Sequence, residues 1–237
     1  MSTVAILLAG GAGSRVRRSE NKAYLPVGDR PLMTWSLEAL QQSPLIDEIV
    51  LVIRPDDLQS ARQALGEPPV AKLRAMVEGG ASRHASEDAA LRTLADDIEG
   101  GAIDLVLIHD AARPFLSQEL IDRVVSTARR CGGAVPALPL EGHVVREAGD
   151  GPVTGVGVVS LRRVQTPQAF WAPELLDAYR AAAERGFSGV DTSESVTAFS
   201  DLHVEAVPGD PQNLKVTFVE DLFTAEELAP RWRAERR

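Results

Sequence analysis

The stretch "LLAGGAGSRV" at residues 7–16 brings glycines and an arginine together directly behind an apolar run, and a lysine follows shortly afterwards. Glycines allow consecutive backbone N–H groups to turn toward one anion, and a nest of this kind binds phosphate. Arg15 and Lys22 can then neutralise charge on a polyphosphate. The spacing therefore predicts a phosphate-binding loop, whose backbone residues are Ala9, Gly10, Gly11 and Gly13.

Two other phosphate loops do not fit this stretch. A dinucleotide fingerprint needs G-x-G-x-x-G, but Val16 stands where the spacing of Gly11 and Gly13 requires the third glycine. A Walker loop needs G-K-[ST], and no lysine lies there. Two interpretations stay open for the stretch taken alone: a phosphate nest, or a tight strand-to-helix turn with solvated basic side chains.

A second glycine pair occurs in "EGGASRHAS" at residues 78–86, again behind an apolar run and at the predicted start of a helix. Gly80, Arg83 and Ser86 can hold a base or a ribose there through backbone and side-chain groups. The alternative is that Ser82 or Ser86 only caps the helix.

Two later stretches add charged groups. "HDAARPF" at 109–115 ends a predicted strand with Asp110, whose carboxylate suits Mg²⁺, a cation that takes one or two protein carboxylates plus substrate phosphates. The alternative is a buried aspartate paired with Arg113. "NLKVT" at 213–217 places Lys215 in a predicted apolar strand, where a lysine is unusual unless its ammonium group reaches a partner or a solvent-filled site.

These residues depend on a sheet that brings them together. Continuous apolar runs, rather than alternating ones, indicate strands that are covered on both faces. Because helix-length segments separate the runs, the order predicts a doubly wound, mostly parallel, Rossmann-like α/β sheet with ligands beyond the carboxyl ends of its strands. The predicted strands are 3–9, 48–54, 73–77, 104–110 and 133–138, and the predicted helices are 32–42, 56–65, 82–98 and 117–130.

The pattern changes at residues 136–164, where short strand-like pieces flank a Gly-Asp-Gly-Pro turn signature. We interpret about 139–162 as a protruding β-hairpin arm that packs against a second subunit. Further predicted elements are helices near 173–185 and 191–200, strands near 203–207 and at 213–217, and a last helix from about 219.

Composition limits the classes of protein that remain. The 237 residues show no linker and predict a single domain over 1–237, and a net charge of −9 argues against a nucleic-acid-binding surface. The lone Cys131 fits a reducing compartment. No signal peptide or membrane span is indicated, so we expect a cytoplasmic protein without nucleic-acid or membrane partners.

Five motifs, "LLAGGAGSRV…K", "GGASR..S", "HDAARPF", "TPQAF" and "GDPQNLKVT..EDL", occur in an order and at intervals that resemble a known family. The resemblance covers about residues 3–228. It is to the cytidylyltransferases that activate polyol phosphates, above all the 2-C-methyl-D-erythritol 4-phosphate cytidylyltransferase family, with ribitol 5-phosphate cytidylyltransferases as close relatives. The resemblance implies the nucleotidyltransferase type of sheet, the substrates CTP and a polyol phosphate, Mg²⁺ as cofactor, and a homodimer formed through the arm.

The resemblance also implies roles for single residues. Arg15, Lys22 and Lys215 would act on the phosphates as catalytic groups. Asp110 would hold Mg²⁺. The nucleotide would contact Ala9, Gly10, Gly11, Gly13, Gly80, Arg83, Ser86 and Ala111, and the acceptor would contact Thr166, Arg113 and Asp191. In the arm, where the chain departs from the family, the candidate acceptor-binding residue is His143, with Arg162 or Arg163 as alternatives.

The chain departs from the family pattern at several positions. Gly10 gives the A-G-G form found in ribitol enzymes, and Asn21 replaces a proline. In the arm, Gly142-His143 replaces Asp-Thr, and Val158 replaces an arginine that reaches the acceptor phosphate across the dimer. The family's Thr-Asp-Asp stretch appears as "VDTSESV", 190–196, so that Asp191 either keeps its function or forms a capping box with Glu194.

Three functions are therefore compared. The first is cytidylyl transfer to methylerythritol phosphate, and the second is transfer to another polyol or sugar phosphate such as ribitol 5-phosphate. The third is a non-catalytic, nucleotide-binding regulator, which has no need of the four charges of Arg15, Lys22, Asp110 and Lys215 together.

Overall fold

The computed structural model describes residues 2–11, 21–67, 69–140, 145–146, 154–155 and 161–234. The strands in these residues are β1 (Thr3–Leu8), β2 (Pro26–Val27), β3 (Arg30–Pro31), β4 (Glu48–Ile53), β5 (Leu73–Glu78), β6 (Leu105–Asp110), β7 (Gly133–Pro139), β8 (Val145–Arg146), β9 (Thr154–Gly155), β10 (Arg162–Val164), β11 (Gln168–Trp171) and β12 (Val204–Pro208). The helices are α1 (Leu32–Gln42), α2 (Leu58–Leu65), α3 (Arg83–Glu99), α4 (Gln118–Cys131), α5 (Ala172–Glu184), α6 (Thr192–Phe199) and α7 (Val219–Ala234), with single 3₁₀ turns at Lys22–Tyr24 and Pro55–Asp57.

In the described part of the chain, eight strands form one sheet in the order β10-β7-β11-β6-β1-β4-β5, and β12 pairs with β7. The pairs β1–β4, β1–β6, β4–β5 and β7–β12 are parallel, whereas β10 and β11 run antiparallel to their neighbours. Leu8 pairs with both Val52 and Asp110, so the three central strands end at the same level. The predicted mostly parallel α/β sheet is confirmed.

The continuous apolar run of β1 has the expected cause, because the strand is buried on both faces. Ala5 and Leu7 belong to a core cluster with α1 and α4. Val4 and Ile6 belong to a second cluster with α3 and α5 on the opposite face. All four side chains are fully buried, and burial of each larger one contributes about 1.5–3 kcal/mol. This double burial anchors the central strand from which the glycine loop emerges.

The predicted strand at 213–217 is wrong. These residues are irregular in the structure. Val216 N donates to Ala112 O at 2.8 Å, two residues beyond β6, and the side chain of Lys215 pairs with Asp110 at the end of β6. Val216 is fully buried in a third cluster, with Trp35 and Phe115. The apolar alternation therefore reflects packing against α1 and α7 and not pairing in the sheet.

The antiparallel strand β11 was not predicted, and β10, which falls at the end of the stretch interpreted as an arm, pairs with β7 in the main sheet. β11 lies between β6 and β7, so residues that follow the predicted arm return to the middle of the sheet. The strand has only four residues and directly precedes α5, which leaves little periodicity to detect.

The predicted arm at 139–162 lies largely outside the described residues. Its two ends join the main sheet, where β7 pairs with β10 and Leu140 N donates to Leu161 O at 3.1 Å. Between them, β8 pairs in antiparallel fashion with β9. The arm as a protruding unit stays a prediction. Across the described ranges, no helix combines the length and the apolar character needed to cross a bilayer.

Candidate active site

A cavity of about 760 Å³ opens at the carboxyl ends of β1, β4, β5 and β6. This edge is where an open, doubly wound sheet binds its ligands. Segments far apart in the sequence line the cavity: the residues after each of the four strands, the turn at Lys22, and the irregular segment that contains Lys215. The predicted site residues that line it are Ala9, Gly10, Gly11, Lys22, Gly80, Arg83, Ser86, Asp110, Ala111 and Lys215.

The first glycine loop begins where β1 ends. Ala9 N donates to Val52 O at 2.8 Å, which continues the sheet pairing one residue beyond the strand. Gly10 and Gly11 then follow the cavity wall. Gly13 and Arg15 lie outside the described residues, as does His143, so their predicted roles stay predictions.

Lys22 is held at the cavity by a buried asparagine beside it. Asn21 is 2% exposed and caps the 3₁₀ turn by accepting from Ala23 N at 3.1 Å. Its Nδ2 donates to Ala9 O at 2.6 Å and to Asp57 Oδ2 at 2.7 Å. The Lys22 ammonium donates to Val216 O at 2.9 Å. The exit of the glycine loop is thereby attached to the end of β1.

Arg54 extends this network along the cavity wall. Its guanidinium makes two hydrogen bonds to Asp57, from Nε at 2.8 Å and from Nη2 at 3.0 Å. Burial acts to raise the pKa of Asp57, but hydrogen bonds from Arg54 and Asn21 outweigh it and lower that pKa below its ordinary value. Asp57 is therefore an ionised link between two elements of the site.

The second glycine loop fits closely against the start of α3. A Cβ atom on Gly80 would lie 2.5 Å from the Cβ atom of Ala85, so this position requires glycine. Gly80 N donates to Ser86 Oγ at 3.1 Å, and Ser86 Oγ donates to Ser82 O at 2.8 Å. Ser82 is the N-cap of α3, because its hydroxyl accepts from Ala85 N at 3.0 Å. The capping alternative thus holds for Ser82, while Ser86 supports the loop and also lines the cavity.

Asp110 lies between two basic side chains at the end of β6. Lys215 Nζ is 2.5 Å from Oδ2, and Arg83 Nε is 3.2 Å from Oδ1. Burial alone would raise the pKa of Asp110, but the charges of Arg83 and Lys215 outweigh burial and lower that pKa well below its usual range. The carboxylate is ionised at neutral pH. The expectation of a partner for Lys215 is met, and Arg83 and Lys215 pair with Asp110.

Behind the cavity, the carboxylate of Glu87 is 1% exposed and surrounded by hydrogen-bond donors. Tyr179 Oη donates to Oε2 at 2.6 Å, and Thr192 Oγ1 donates to Oε1 at 2.6 Å. Arg83 Nη1 is also 2.6 Å from Oε1. Burial raises the pKa of Glu87 to about 7, although Arg83 and the two hydroxyl groups act in the opposite direction.

The structure does not bring Thr166 to the cavity wall. Thr166 is 3% exposed, and its hydroxyl accepts from Asp110 N at 3.0 Å and lies 3.2 Å from His109 Nδ1. Burial lowers the pKa of His109 to about 4, and its Nε2 faces Arg113 O at 3.1 Å. The neutral ring therefore donates through Nε2, and the Thr166 hydroxyl donates to Nδ1. Thr166 stabilises the backbone of Asp110 in this arrangement.

Arg113 and Asp191 also lie away from the cavity lining. Arg113 is 9% exposed, and its Nη1 donates to Asn213 O at 2.8 Å. It therefore positions the segment that carries Lys215. Asp191 is the N-cap of α6 and accepts from Ser193 N at 3.0 Å, while Glu194 accepts from Val190 N at 2.7 Å. Asp191 therefore caps α6 as expected, but Glu194 bonds to the N–H one residue before the N–H that a capping box uses. Acceptor binding by Arg113 and Asp191 stays a prediction.

Sequence reasoning missed Arg54, Glu87 and the role of Asn21. Arg54 directly follows β4, and its position at a strand end is the signal that was available. Glu87 occurs in an acidic helix segment that resembles a solvated face, and nothing local indicates that it is buried.

A magnesium ion fits the donors of this cavity only together with a nucleotide. The described residues contain no group of three or more His, Cys, Asp or Glu side chains that could hold a metal. Magnesium is commonly bound by one or two carboxylates plus substrate phosphates, and the ionised Asp110 is a donor of that kind. Asp110 also faces two cations, and Asp56 is the other carboxylate residue that lines the cavity, so most ligands would come from a triphosphate and water.

The doubly wound sheet and the basic, glycine-lined cavity at its carboxyl edge define the class: α/β proteins that bind phosphorylated ligands. The family model described as IspD, 2-C-methyl-D-erythritol 4-phosphate cytidylyltransferase, matches residues 3–230. The chain belongs to this family, and the resemblance found in its motifs is confirmed.

Individual proteins agree with this assignment. The 2-C-methyl-D-erythritol 4-phosphate cytidylyltransferase of Syntrophus aciditrophicus is 35% identical over 229 residues, which cover 94% of each chain. The bifunctional enzyme IspD/IspF of Nitrobacter winogradskyi is 37% identical over 226 residues, covering 95% of this chain, which spans 55% of that longer relative. The crystal structure of 4-diphosphocytidyl-2C-methyl-D-erythritol synthase from Anaerococcus prevotii aligns with a TM-score of 0.82 at 29% identity, covering 97% of this chain and 96% of that one.

Proposed function

We propose that the chain transfers the cytidylyl group of CTP to 2-C-methyl-D-erythritol 4-phosphate and releases pyrophosphate. A phosphate oxygen of the acceptor forms a bond to the α-phosphorus of CTP, and the bond from that phosphorus to the bridging oxygen of pyrophosphate breaks. The product is 4-diphosphocytidyl-2-C-methyl-D-erythritol. Charge develops on the oxygens of the transferred group, so positioning and electrostatic stabilisation are the main tasks of the protein.

The observation that carries the proposal is the convergence of four of the five family motifs on one cavity. Residues after β1 and β5 provide glycine backbone for a nucleotide, while Lys22 and Lys215 provide positive charge at the same cavity. Lys22 donates to the carbonyl of Val216, the residue next to Lys215, so the two lysines approach the cavity from adjoining backbone. This placement suits a triphosphate whose charge increases during transfer.

Arg15 and Lys22 are proposed as the groups that stabilise the transferred phosphoryl oxygens, and Lys215 is proposed to contact the phosphates from the adjoining segment at 213–217. Asp110 keeps Lys215 and Arg83 in place through its two ion pairs. Gly80, Ser86 and Ala111 line the cavity beside Arg83 and are proposed to bind the cytidine.

We propose a requirement for Mg²⁺, with Asp110 as the protein ligand. The ion supplies neutralisation of phosphate charge when it is bound. The acceptor and a second subunit are proposed to bind through the arm at 139–162, whose ends are attached to the sheet at β7 and β10.

The test is pyrophosphate release by the full chain from CTP and Mg²⁺ with four acceptors in parallel: methylerythritol 4-phosphate, ribitol 5-phosphate, glycerol 3-phosphate and erythritol 4-phosphate. We expect release with methylerythritol 4-phosphate alone and its loss when EDTA removes the metal. Release only with another acceptor would contradict the proposed substrate. Binding of CTP without release for any acceptor would indicate the non-catalytic alternative.

A further inference from the structure

Glu87 is a buried acidic residue whose carboxylate faces the interior, away from the cavity. It lies on α3, one turn after Arg83, and the ion pair between them spans 2.6 Å. Thr192 at the start of α6 and Tyr179 on α5 complete its surroundings with hydrogen bonds of 2.6 Å each. A carboxylate that accepts from three donors is held tightly in one orientation.

Arg83 is the only one of these four residues that lines the cavity among the described residues. Its guanidinium lies between two carboxylates, with Nε on Asp110 and Nη1 on Glu87. Nη1 also faces Thr192 Oγ1 at 3.0 Å. The buried Nη2 has no hydrogen-bond partner in the described ranges, so the two carboxylates and not a full set of hydrogen bonds fix the guanidinium.

Removing the Asp110 carboxylate and removing the Glu87 carboxylate have different consequences. Asp110 also binds Lys215 and lines the cavity, so a change there alters several contacts at once. Glu87 does not line the cavity, and it can act on a ligand only through Arg83. A substitution of Glu87 therefore removes one partner of Arg83, while the other side chains that line the cavity keep their partners.

We propose that Glu87 is a positioning residue for nucleotide binding: it fixes the orientation in which Arg83 meets the nucleotide. The inference rests on the proposed function, since it takes the nucleotide to be CTP. In this arrangement Thr192 and Tyr179 orient Glu87, so α5 and α6 contribute to the site without touching the ligand.

The ionised form of Glu87 is the one that accepts from all three donors. The charged and titratable groups around it are Arg83 and His84 on α3, Tyr179 on α5 and Asp110 on β6. The ring of His84 stacks on the ring of Tyr179 at a centroid distance of 4.5 Å. Burial raises the pKa of Glu87 to about 7, so that protonation competes with the pairing to Arg83 near neutral pH.

The first experiment compares CTP binding by calorimetry for the wild type, Glu87→Gln and the control Glu99→Gln. Glu99 lies on the same helix but is exposed and pairs with Arg180, so its substitution makes the same chemical change away from the network. We expect the Kd for CTP to rise roughly tenfold in Glu87→Gln, as for a lost charged hydrogen bond, and to stay unchanged in the control. The KM for CTP rises in parallel, while kcat changes less.

The pH dependence separates positioning from a general loss of structure. The ratio of the two Kd values, Glu87→Gln over wild type, cancels the titration of CTP and of groups present in both proteins. We expect this ratio to be about ten at pH 8.5 and to approach one at pH 6, where the wild type carries a protonated Glu87. A ratio of one at every pH, or a large ratio that does not change with pH, would overturn the proposal.

Tyr179→Phe provides a second test if Glu87→Gln does not fold. It removes one donor to the carboxylate and leaves the Arg83 pair in place, which raises the pKa of Glu87 further. As the pH is lowered, CTP affinity should then begin to weaken at a higher pH than in the wild type. An unshifted pH profile of the Kd would contradict the proposal. Because calorimetry needs no acceptor, these results stand even if the acceptor test of the proposed function fails.

Discussion

At the scale of single residues, the cavity depends on side chains that are held by their neighbours before any ligand arrives. Lys22 donates to the carbonyl of Val216, and Lys215 pairs with Asp110. Preorganised charges of this kind stabilise a transition state without having to reorient during the reaction.

Lys22→Ala is expected to lower turnover by roughly a hundredfold or more, because it removes a positive charge from the phosphates where charge develops. Steady-state pyrophosphate release measures the effect. Lys72→Ala is the matched control, since Lys72 donates to Ser43 O and does not line the cavity. Equal turnover in the Lys22 variant and the control would remove Lys22 from the mechanism.

Asn21→Ala tests how Lys22 is positioned. The change removes the hydrogen bonds to Ala9 O, Asp57 and Ala23 N, and leaving such buried groups unpaired costs about 1–3 kcal/mol of stability. We expect a lower Tm and turnover reduced by about tenfold, measured by thermal unfolding and by pyrophosphate release. A lower Tm with unchanged turnover would limit Asn21 to a purely structural role.

At the scale of elements, the network around Glu87 connects α3, α5 and α6 beneath the second glycine loop. Side chains from all three helices contact the Glu87 carboxylate, so the packing of these helices sets the free-energy cost of ionising it. The same network thereby links the stability of this region to pH.

The contribution of Glu87 to the free energy of unfolding is expected to fall as the pH rises from about 4.5 to 7. Buried His109, whose pKa is lowered to about 4, contributes in the opposite direction over much of this range, so the comparison with Glu87→Gln isolates the Glu87 contribution. The native state keeps the Glu87 proton up to a pKa of about 7, whereas the unfolded chain loses it near 4.5, so the native state binds more protons in this window. The contribution is on the order of 3 kcal/mol. Denaturant unfolding at several pH values measures it for the wild type and Glu87→Gln. An equal slope in both proteins would contradict this assignment.

At the scale of the whole molecule, the sheet separates two proposed tasks, the binding of the nucleotide and the binding of the acceptor. The ends of β1, β4, β5 and β6 build the cavity that is proposed to bind the nucleotide, whereas β7 and β10 carry the ends of the predicted arm on the other side of β11. No residue of 141–160 is among the described residues that line the cavity. The two tasks should therefore be separable by deletion.

Replacing residues 141–160 by an Asn-Gly turn should leave CTP binding intact and abolish transfer. The backbones of Leu140 and Leu161 are already hydrogen-bonded at 3.1 Å between N and O, so a two-residue hairpin turn can join them. Calorimetry measures CTP binding, and pyrophosphate release with methylerythritol 4-phosphate measures transfer. A deletion variant that still transfers would refute the role of the arm, and ultracentrifugation of the same variant tests the proposed dimer.

Much of the fold followed from local patterns. The runs at 3–9, 48–54 and 104–110 predicted the central strands within one residue at each end, because burial on both faces makes a strand continuously apolar. The short antiparallel β11 and the irregular segment at 213–217 were missed or misassigned. Their apolar residues pack against distant elements, and a local period does not distinguish that packing from sheet pairing.

The sequence by itself determined the family, the class of sheet and most of the charged and glycine residues of the cavity, Arg54 excepted, because residue types at fixed spacing report local backbone needs and chemistry. Only the tertiary structure decided which groups meet. Lys215 reaches Asp110 across 105 positions of sequence, and Thr166 turns away from the cavity to bind the backbone beside it. Glu87 reads as a solvated helix residue until α5 and α6 cover it. Ion pairs and burial arise from long-range packing, which no local spacing encodes.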